Sequence, residues 1–343
     1  AEIREVCEEV GTRIFYDAAH VLGLICGGQF QDPLREGADV MAGSTHKTFF
    51  GPQRGVVLSA SNDDKFLKKL DKGVFPGSSS NHHLFSLPSV LVAALEMEMY
   101  GADYAKAVIV NAKALGASLH KRELDVSAAD LGYTESHQVA MDVGAHGGGK
   151  DVSRRLSDQD IICNMNLLPG EPAKNALNPR GIRLGVQEMT RFGMGPDEMD
   201  VVADLIHAAI VKSRDVRPEV AALRDRFPDV RYGFSVEDLR SALREDRIAA
   251  WFQPVVDLGD GSVAGMEALA RWIPQAGNPG GRVVNAGEFL PVAAEAGLVK
   301  EIGWAVISGG VRKLSGLKPG TYVAVNASPS ELNSPAFDTR LLE

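Results

Sequence analysis

Cysteine is scarce. Only Cys7, Cys26 and Cys163 occur in 343 residues, odd in number, far apart and without a CxxC pair. That excludes a disulfide frame and a thiolate zinc site, and it fits reduced thiols in the cytoplasm. Positive charge is also in short supply. The net charge of -9 argues against a nucleic-acid partner, because phosphate binding wants a basic face. No apolar run approaches the ~18–20 residues of a membrane span, and no basic-then-apolar leader opens the chain, so no membrane partner is expected.

What remains is an ordinary globular composition, 45% hydrophobic and 24% charged. The length suits two or three domains of ~100–200 residues each. The chain opens on Ala1 in mid-helix style (AEIREVCEEV) and closes on PAFDTRLLE, again helical in pattern. Both ends read as cut, and a fragment of a longer reading frame is expected.

Short strand-like runs alternate with helical ones in the first part: Arg13–Asp17, Ala38–Thr45 and Gly55–Ala60. Such alternation predicts a parallel α/β sheet, whose ligands sit at the carboxyl ends of strands. Asp17 and Lys47 fall at such ends. The segment from Leu84 to about Arg122 reads as a long helix, with Leu84, Leu87, Leu91 and Leu95 at helical spacing and Gly101 interrupting it near a domain joint. A second, smaller α/β unit follows. His137–Val143 and Gly181–Gly185 are its strand-like segments, and Asp151–Cys163 and the stretch after Pro196 its helices. The domain boundaries expected are 1–100, 101–213, a helix and linker at 214–235, and a new βα pattern over 236–343.

Ser44-Thr45-His46-Lys47-Thr48, followed by Gly51-Pro52, carries the strongest chemical signal. An enzyme using pyridoxal 5'-phosphate (PLP) needs a lysine for the cofactor aldehyde. It also needs an acid that keeps the pyridine nitrogen protonated. A strand ending in Asp17, with His20 three residues on, supplies that acid. Alone, Lys47 reads as a solvated loop residue and Asp17 as a helix cap; together with their surroundings they do not. Gly144–Asp151 matches G-x-x-x-x-G-K of a phosphate loop, but Asp151 stands where Ser or Thr should follow, so a flexible turn is the better reading. His82 and His83 lack a carboxylate spaced to complete a metal site.

The stretch YDAAHVLGLICGGQFQDPLREGADVMAGSTHKTFFGPQRG resembles the PLP-lysine region of serine hydroxymethyltransferases, and the similarity of order and spacing extends over about residues 1–234. GVFPG (Gly73–Gly77) and GIRLG (Gly181–Gly185) continue it. The resemblance implies an aspartate aminotransferase-like α/β fold and a homodimer. It makes Lys47 the Schiff-base lysine, Asp17 the partner of the pyridine nitrogen, and His20 the contact on the ring's phenolic side. Thr45 and His46 would flank the cofactor. Gly77 would give backbone N–H to a cofactor phosphate across a dimer interface, and Arg183 would clamp the carboxylate of an amino-acid substrate. The implied chemistry is Cα–Cβ bond cleavage or formation in serine and glycine, with tetrahydrofolate as co-substrate. Asn166 sits where the family has a folate-side asparagine. Two departures, Gly51-Pro52-Gln53-Arg54-Gly55 in place of G-P-R-G-G and Ser78–Ser80 in place of glycines, leave a folate-independent threonine aldolase or transaldolase as the alternative. The family's N-terminal half, with its ring-stacking residue and main carboxylate, has no counterpart here, so weak PLP binding and an inactive fragment are expected.

From about Val236 a second resemblance begins. WFQPVVD (Trp251–Asp257), GMEALARW (Gly265–Trp272), Glu288-Phe289-Leu290-Pro291 and Val325-Asn326-Ala327-Ser328-Pro329 look like the opening of an EAL domain, a TIM-type cyclic di-GMP phosphodiesterase. Glu267 and Asn326 would be ligands of a divalent metal such as magnesium, each read as ending a strand, and Arg271 would meet a phosphate; with Gln253 these residues motivate a cyclic di-GMP signalling reading. The later acidic ligands and lysine of that family are not in the chain. An incomplete barrel and an inactive module are therefore expected.

Overall fold

The computed structural model describes residues 2–81, 83–233, 235–273, 283–314 and 316–327. The chain divides into two bodies, Ala1–Gly233 and Phe234–Glu343.

In the first body, helix α1 (Glu2–Glu9) leads into β1 (Phe15–Asp17), α2 (Leu22–Cys26), β2 (Val40–Ser44) and β3 (Gly55–Leu58). Strands β1 and β2 run parallel, with Asp17 opposite Ala42. Strand β3 lies antiparallel to β2, with Ser44 opposite Gly55, so the sheet is mixed where a parallel one was expected. The reason is the connection. A parallel return needs a crossover of about a dozen residues or more, and the segment 45–54 is too short for one, so it closes as a hairpin loop with Lys47 on it. Helix α3 (Asp64–Lys72) follows, its first amides capped by Asp63, whose Oδ1 accepts from Lys65 N at 2.9 Å.

Helix α4 (Leu87–Lys121) is unbroken through Gly101, contrary to the interruption expected there. Gly101 is a point of close approach instead. A Cβ on Gly27, at the end of α2, would fall 2.3 Å from the Gly101 carbonyl oxygen, so α2 reaches α4 there only because Gly27 lacks a side chain. The buried stripe of α4 includes Ala93, Met97, Tyr104, Val108, Leu115 and Leu119, while Leu84, Leu87 and Leu91 are exposed. The leucine spacing thus marks an outer face rather than the core face. By length and composition alone, Leu84–Lys121 is also long and apolar enough to cross a membrane, with mean hydropathy 1.2. The charged residues scattered along it hid this from a search for continuous apolar runs.

The small sheet combines β4 (Asp125–Val126), β5 (Gln138–Asp142), β6 (Asn164–Asn166) and β7 (Gly181–Gly185) in the order β4-β5-β7-β6, all antiparallel. Helix α5 (Gly149–Ser157) buries Val152 and Leu156 against it. The preceding turn is tied to α5, since Arg155 Nη2 donates to the His146 carbonyl at 2.6 Å. Helices α6 (Gln187–Arg191), α7 (Pro196–Ile210) and α8 (Arg217–Asp225) complete the body. Buried Asn111 of α4 holds this region, donating to Thr190 Oγ1 at 2.9 Å and to the Met194 carbonyl at 2.8 Å. The stretch after α8 docks on Arg191, which donates to the Tyr232 carbonyl, pairs with Glu96 at 2.7 Å and lies 3.7 Å over the Phe50 ring.

The second body begins with α9 (Val236–Arg244), capped by Ser235, whose Oγ accepts from Asp238 N at 3.0 Å. Strand β8 (Ile248–Val256) pairs antiparallel with β9 (Val263–Trp272), which pairs antiparallel with β10 (Val284–Asn285). After α10 (Ala286–Glu295) and α11 (Val299–Leu314), β11 (Tyr322–Val325) joins β9 in parallel.

Candidate functional site

The site grows from the ends of β1 and β2. Beyond Asp17 the chain turns sharply, because Asp17 Oδ1 accepts from Ala19 N at 2.9 Å, and this brings His20 back toward the strand end. Beyond Ser44 the hairpin loop is knotted on itself. Thr45 Oγ1 donates to the Pro52 carbonyl at 2.6 Å, and Gly51 N donates to the Thr45 carbonyl at 2.6 Å. Buried Thr48 then fastens the loop to the β1–α2 turn. Its hydroxyl donates to the His20 carbonyl at 2.8 Å and accepts from Gly23 N at 3.0 Å. Gly23 permits this approach, for a Cβ there would fall 2.1 Å from the Thr48 carbonyl oxygen.

The knot leaves Lys47 Nζ 3.4 Å from His20 Nε2. On its other side, His20 Nδ1 meets the Gln138 side-chain amide at 2.8 Å. The His137 ring stacks on His20, with centroids 5.9 Å apart and planes 17° apart. Arg183, in the middle of β7, pairs with Ala140 of β5, two residues beyond Gln138. Its charge is felt at both rings. Burial lowers the His20 pKa, the charges of Lys47 and Arg183 lower it further, and Asp17 opposes them. Burial above all, then His20, Arg183 and Lys47, pushes His137 down to about 3. Both imidazoles are therefore neutral at neutral pH.

Lys47, His20, Asp17 and Arg183 thus come together as their positions suggested. His46 is exposed, and Thr45 is buried with its hydroxyl proton given to its own loop. Gly77 is exposed within the turn Gly73–Ser78. Asn166 ends β6 and gives its side-chain amide to the Leu167 carbonyl at 2.7 Å. His82 lies outside the described residues. Reading the sequence assigned no role to His137 or Gln138. They sit 117 and 118 residues after His20, and no spacing rule links positions so distant. Thr48 and Gly23 did lie inside the recognised motifs, but their hydrogen bond is a tertiary fact.

The residues present suit PLP chemically. They offer an amine for its aldehyde, a carboxylate at a neighbouring strand end for its ring nitrogen, a neutral imidazole between them, and a guanidinium for a substrate carboxylate. In the second body, Glu267 lies in mid-β9 rather than at a strand end, opposite Ala324 of β11. Asn326 follows β11, and its Nδ2 donates to Glu267 Oε1 at 2.9 Å. The two expected metal residues therefore meet. Among the described residues, however, no group of three His, Cys, Asp or Glu side chains could hold an ion. Two side-chain oxygens do not make a metal centre, and no metal step is derived.

The family model for serine hydroxymethyltransferase matches residues 1–206, and that for the EAL domain matches residues 236–343. The serine hydroxymethyltransferase of Archaeoglobus fulgidus is 50% identical over 236 residues, 68% of this chain and 53% of that protein. That of Methanobrevibacter smithii is 47% identical over 234 residues, 68% of this chain and 55% of that protein. Among solved structures, L-threonine transaldolase from Pseudomonas fluorescens superposes with a TM-score of 0.62 at 34% identity, covering 71% of this chain and 56% of that one. The chain spans about half the length of the curated relatives it matches. Its first body has the α/β fold of that solved transferase, and the chain belongs to the serine hydroxymethyltransferase family, with an EAL domain following in the same sequence.

Proposed function

We propose that the first body serves PLP-dependent hydroxymethyl transfer between serine and glycine, with Lys47 as the residue that holds the cofactor. The observation that carries this reading is the placement of Lys47 Nζ 3.4 Å from a His20 that is itself fixed beside the strand end bearing Asp17. When bound, PLP supplies an electron sink for the pair released as a Cα–Cβ bond breaks. The chain's residues do the rest. Lys47 offers its amine to the cofactor aldehyde. The Asp17 carboxylate, at the end of β1, favours a proton on the ring nitrogen by opposite charge. His20 stays neutral and presents a ring nitrogen to the Lys47 side. Arg183 grips the substrate carboxylate with two parallel N–H bonds, a geometry that a lysine cannot reproduce. Gly77 would serve a second copy's phosphate.

Incubation with PLP followed by borohydride reduction and peptide mapping tests the assignment. The phosphopyridoxyl mass is expected on the Lys47 peptide well above any other lysine, and Lys47→Ala should abolish that peak. A label spread evenly over surface lysines would refute it.

The acceptor is read as tetrahydrofolate, on the names and higher identity of the curated relatives; the transaldolase neighbour keeps the aldehyde-acceptor alternative alive. Assayed in the full-length protein, serine cleavage with tetrahydrofolate should outrun threonine cleavage without it. The reverse order would favour the alternative. The Glu267–Asn326 contact supports a cyclic di-GMP-related site in the second body, but as two donors only.

A second copy of the chain is the partner read for the exposed apolar side chains Phe85, Leu87 and Leu91 at the start of α4, with Leu91 57% and Phe85 83% exposed. Exposed apolar side chains of this kind suit an interaction site. Sedimentation should show a dimer, and Leu91→Asp should shift it toward monomer; a wild-type monomer at all concentrations would contradict this.

A further inference from the structure

We infer that Gln138 and His137 are positioning residues that hold His20 in one neutral tautomer, with its proton on Nε2 facing Lys47. The inference rests on the reading of Lys47 given above, and it concerns two residues to which that reading assigns nothing.

The first observation is a hydrogen bond whose direction is forced. The Gln138 side-chain nitrogen lies 2.8 Å from His20 Nδ1. An amide NH2 can only donate, so Nδ1 must accept and carries no proton. A neutral imidazole then has its single proton on Nε2, the nitrogen 3.4 Å from Lys47 Nζ. That proton suits the uncharged amine of Lys47, whereas the ammonium form would itself donate to Nε2 and compete with the Gln138 contact.

The second observation is the ring beneath. His137 is 2% exposed and nearly parallel to His20. Its own Nδ1 finds no hydrogen-bond partner in the described structure. Its carbonyl is fixed by Val186 N at 3.1 Å, just beyond β7. A flat ring anchored in this way lies nearly parallel to His20, offset from it, without competing for its nitrogens. Residues 137 and 138 therefore meet His20 twice, once on a ring nitrogen and once alongside the ring. Both come from the small sheet, whereas His20 and Lys47 come from the strand ends of the mixed sheet.

The charged groups around His20 agree in sign. Lys47 from the hairpin loop and Arg183 from β7 disfavour a second proton, and only Asp17 from the end of β1 favours one. His137, from the start of β5, is itself neutral at ordinary pH. The neutral form of His20 is thus the working form, and Gln138 decides which nitrogen bears the proton.

The test needs no cofactor. Nitrogen-15 NMR of histidine-labelled protein distinguishes the two neutral tautomers directly. Wild type should show His20 as the Nε2–H form. In Gln138→Glu, nearly isosteric, the carboxylate requires a proton on Nδ1. The tautomer should invert, and the His20 titration midpoint should rise by about one to two pH units. In Gln138→Met both tautomers should coexist. In His137→Phe, which keeps the flat ring, the Nε2–H form should persist. Labelling of Lys47 by PLP and borohydride should slow about fivefold to tenfold in Gln138→Met, the worth of one ordinary hydrogen bond, while thermal unfolding stays within a few degrees. A wild-type Nδ1–H signature, or a Gln138→Glu protein with unchanged tautomer and midpoint, would overturn the inference. If the substituted proteins do not fold, the wild-type spectrum alone decides. If Lys47 proves not to bind PLP, the tautomer result still stands or falls by itself.

Discussion

One hydroxyl group organises the site. Thr48 Oγ1 donates to the His20 carbonyl and accepts from the Gly23 amide, so a single side chain closes the gap between the hairpin loop and the β1–α2 turn. Both partners are backbone groups in a buried place, and an unpaired buried backbone group costs about 1–3 kcal/mol. The loop that carries Lys47 therefore has one low-energy position, and His20 is fixed by the same bond. The Thr45 hydroxyl repeats the device at the loop's base, where it ties Thr45 to Pro52 and Arg54.

The second requirement is that two sheets meet at His20. The mixed sheet provides the amine and the acid, and the small sheet provides His137, Gln138 and Arg183. Helix α4 makes the meeting possible. Its buried stripe packs on α2 at Gly101 and continues to the small sheet, with Tyr104, Leu115 and Leu119 in one shared core. Arg191 adds a further tie. Its guanidinium lies on the Phe50 ring, three residues beyond Lys47, while holding Glu96 and the Tyr232 carbonyl. Breaking such a half-buried ion pair from one side leaves an uncompensated charge, so the segment leading out of the first body is coupled to the lysine loop by a bond that is costly to open.

Much of this was legible in the residues. The strand ends at Asp17 and Ser44, the lysine loop and the GIRLG strand lie where alternation and motif put them. Three readings failed for physical reasons. The third strand turned antiparallel because its connection was too short to cross over. Gly101 looked like a helix breaker, yet it serves a close contact between helices that only the packed structure reveals. The leucine spacing did place a long helix correctly, and that its Leu84–Leu91 side is exposed is a separate matter, because periodicity identifies an apolar face without saying what covers it. Glu267 was read as a strand end, whereas β9 runs on to Trp272; a motif can locate a residue without locating the end of its strand. His137 and Gln138 were invisible in a different sense. Their importance depends on a contact across 117 or 118 residues of chain.

The claim that Lys47 is held in place by the Thr48 bridge is open to one direct measurement. Thr48→Val keeps the shape of the side chain and deletes both hydrogen bonds, while Thr48→Ser keeps the hydroxyl and loses only a methyl group. Reaction of Lys47 with PLP and borohydride, followed by peptide mapping, should fall to the level of surface lysines in Thr48→Val and remain close to wild type in Thr48→Ser, with both proteins folded by circular dichroism. Undiminished labelling of Lys47 in folded Thr48→Val would contradict it.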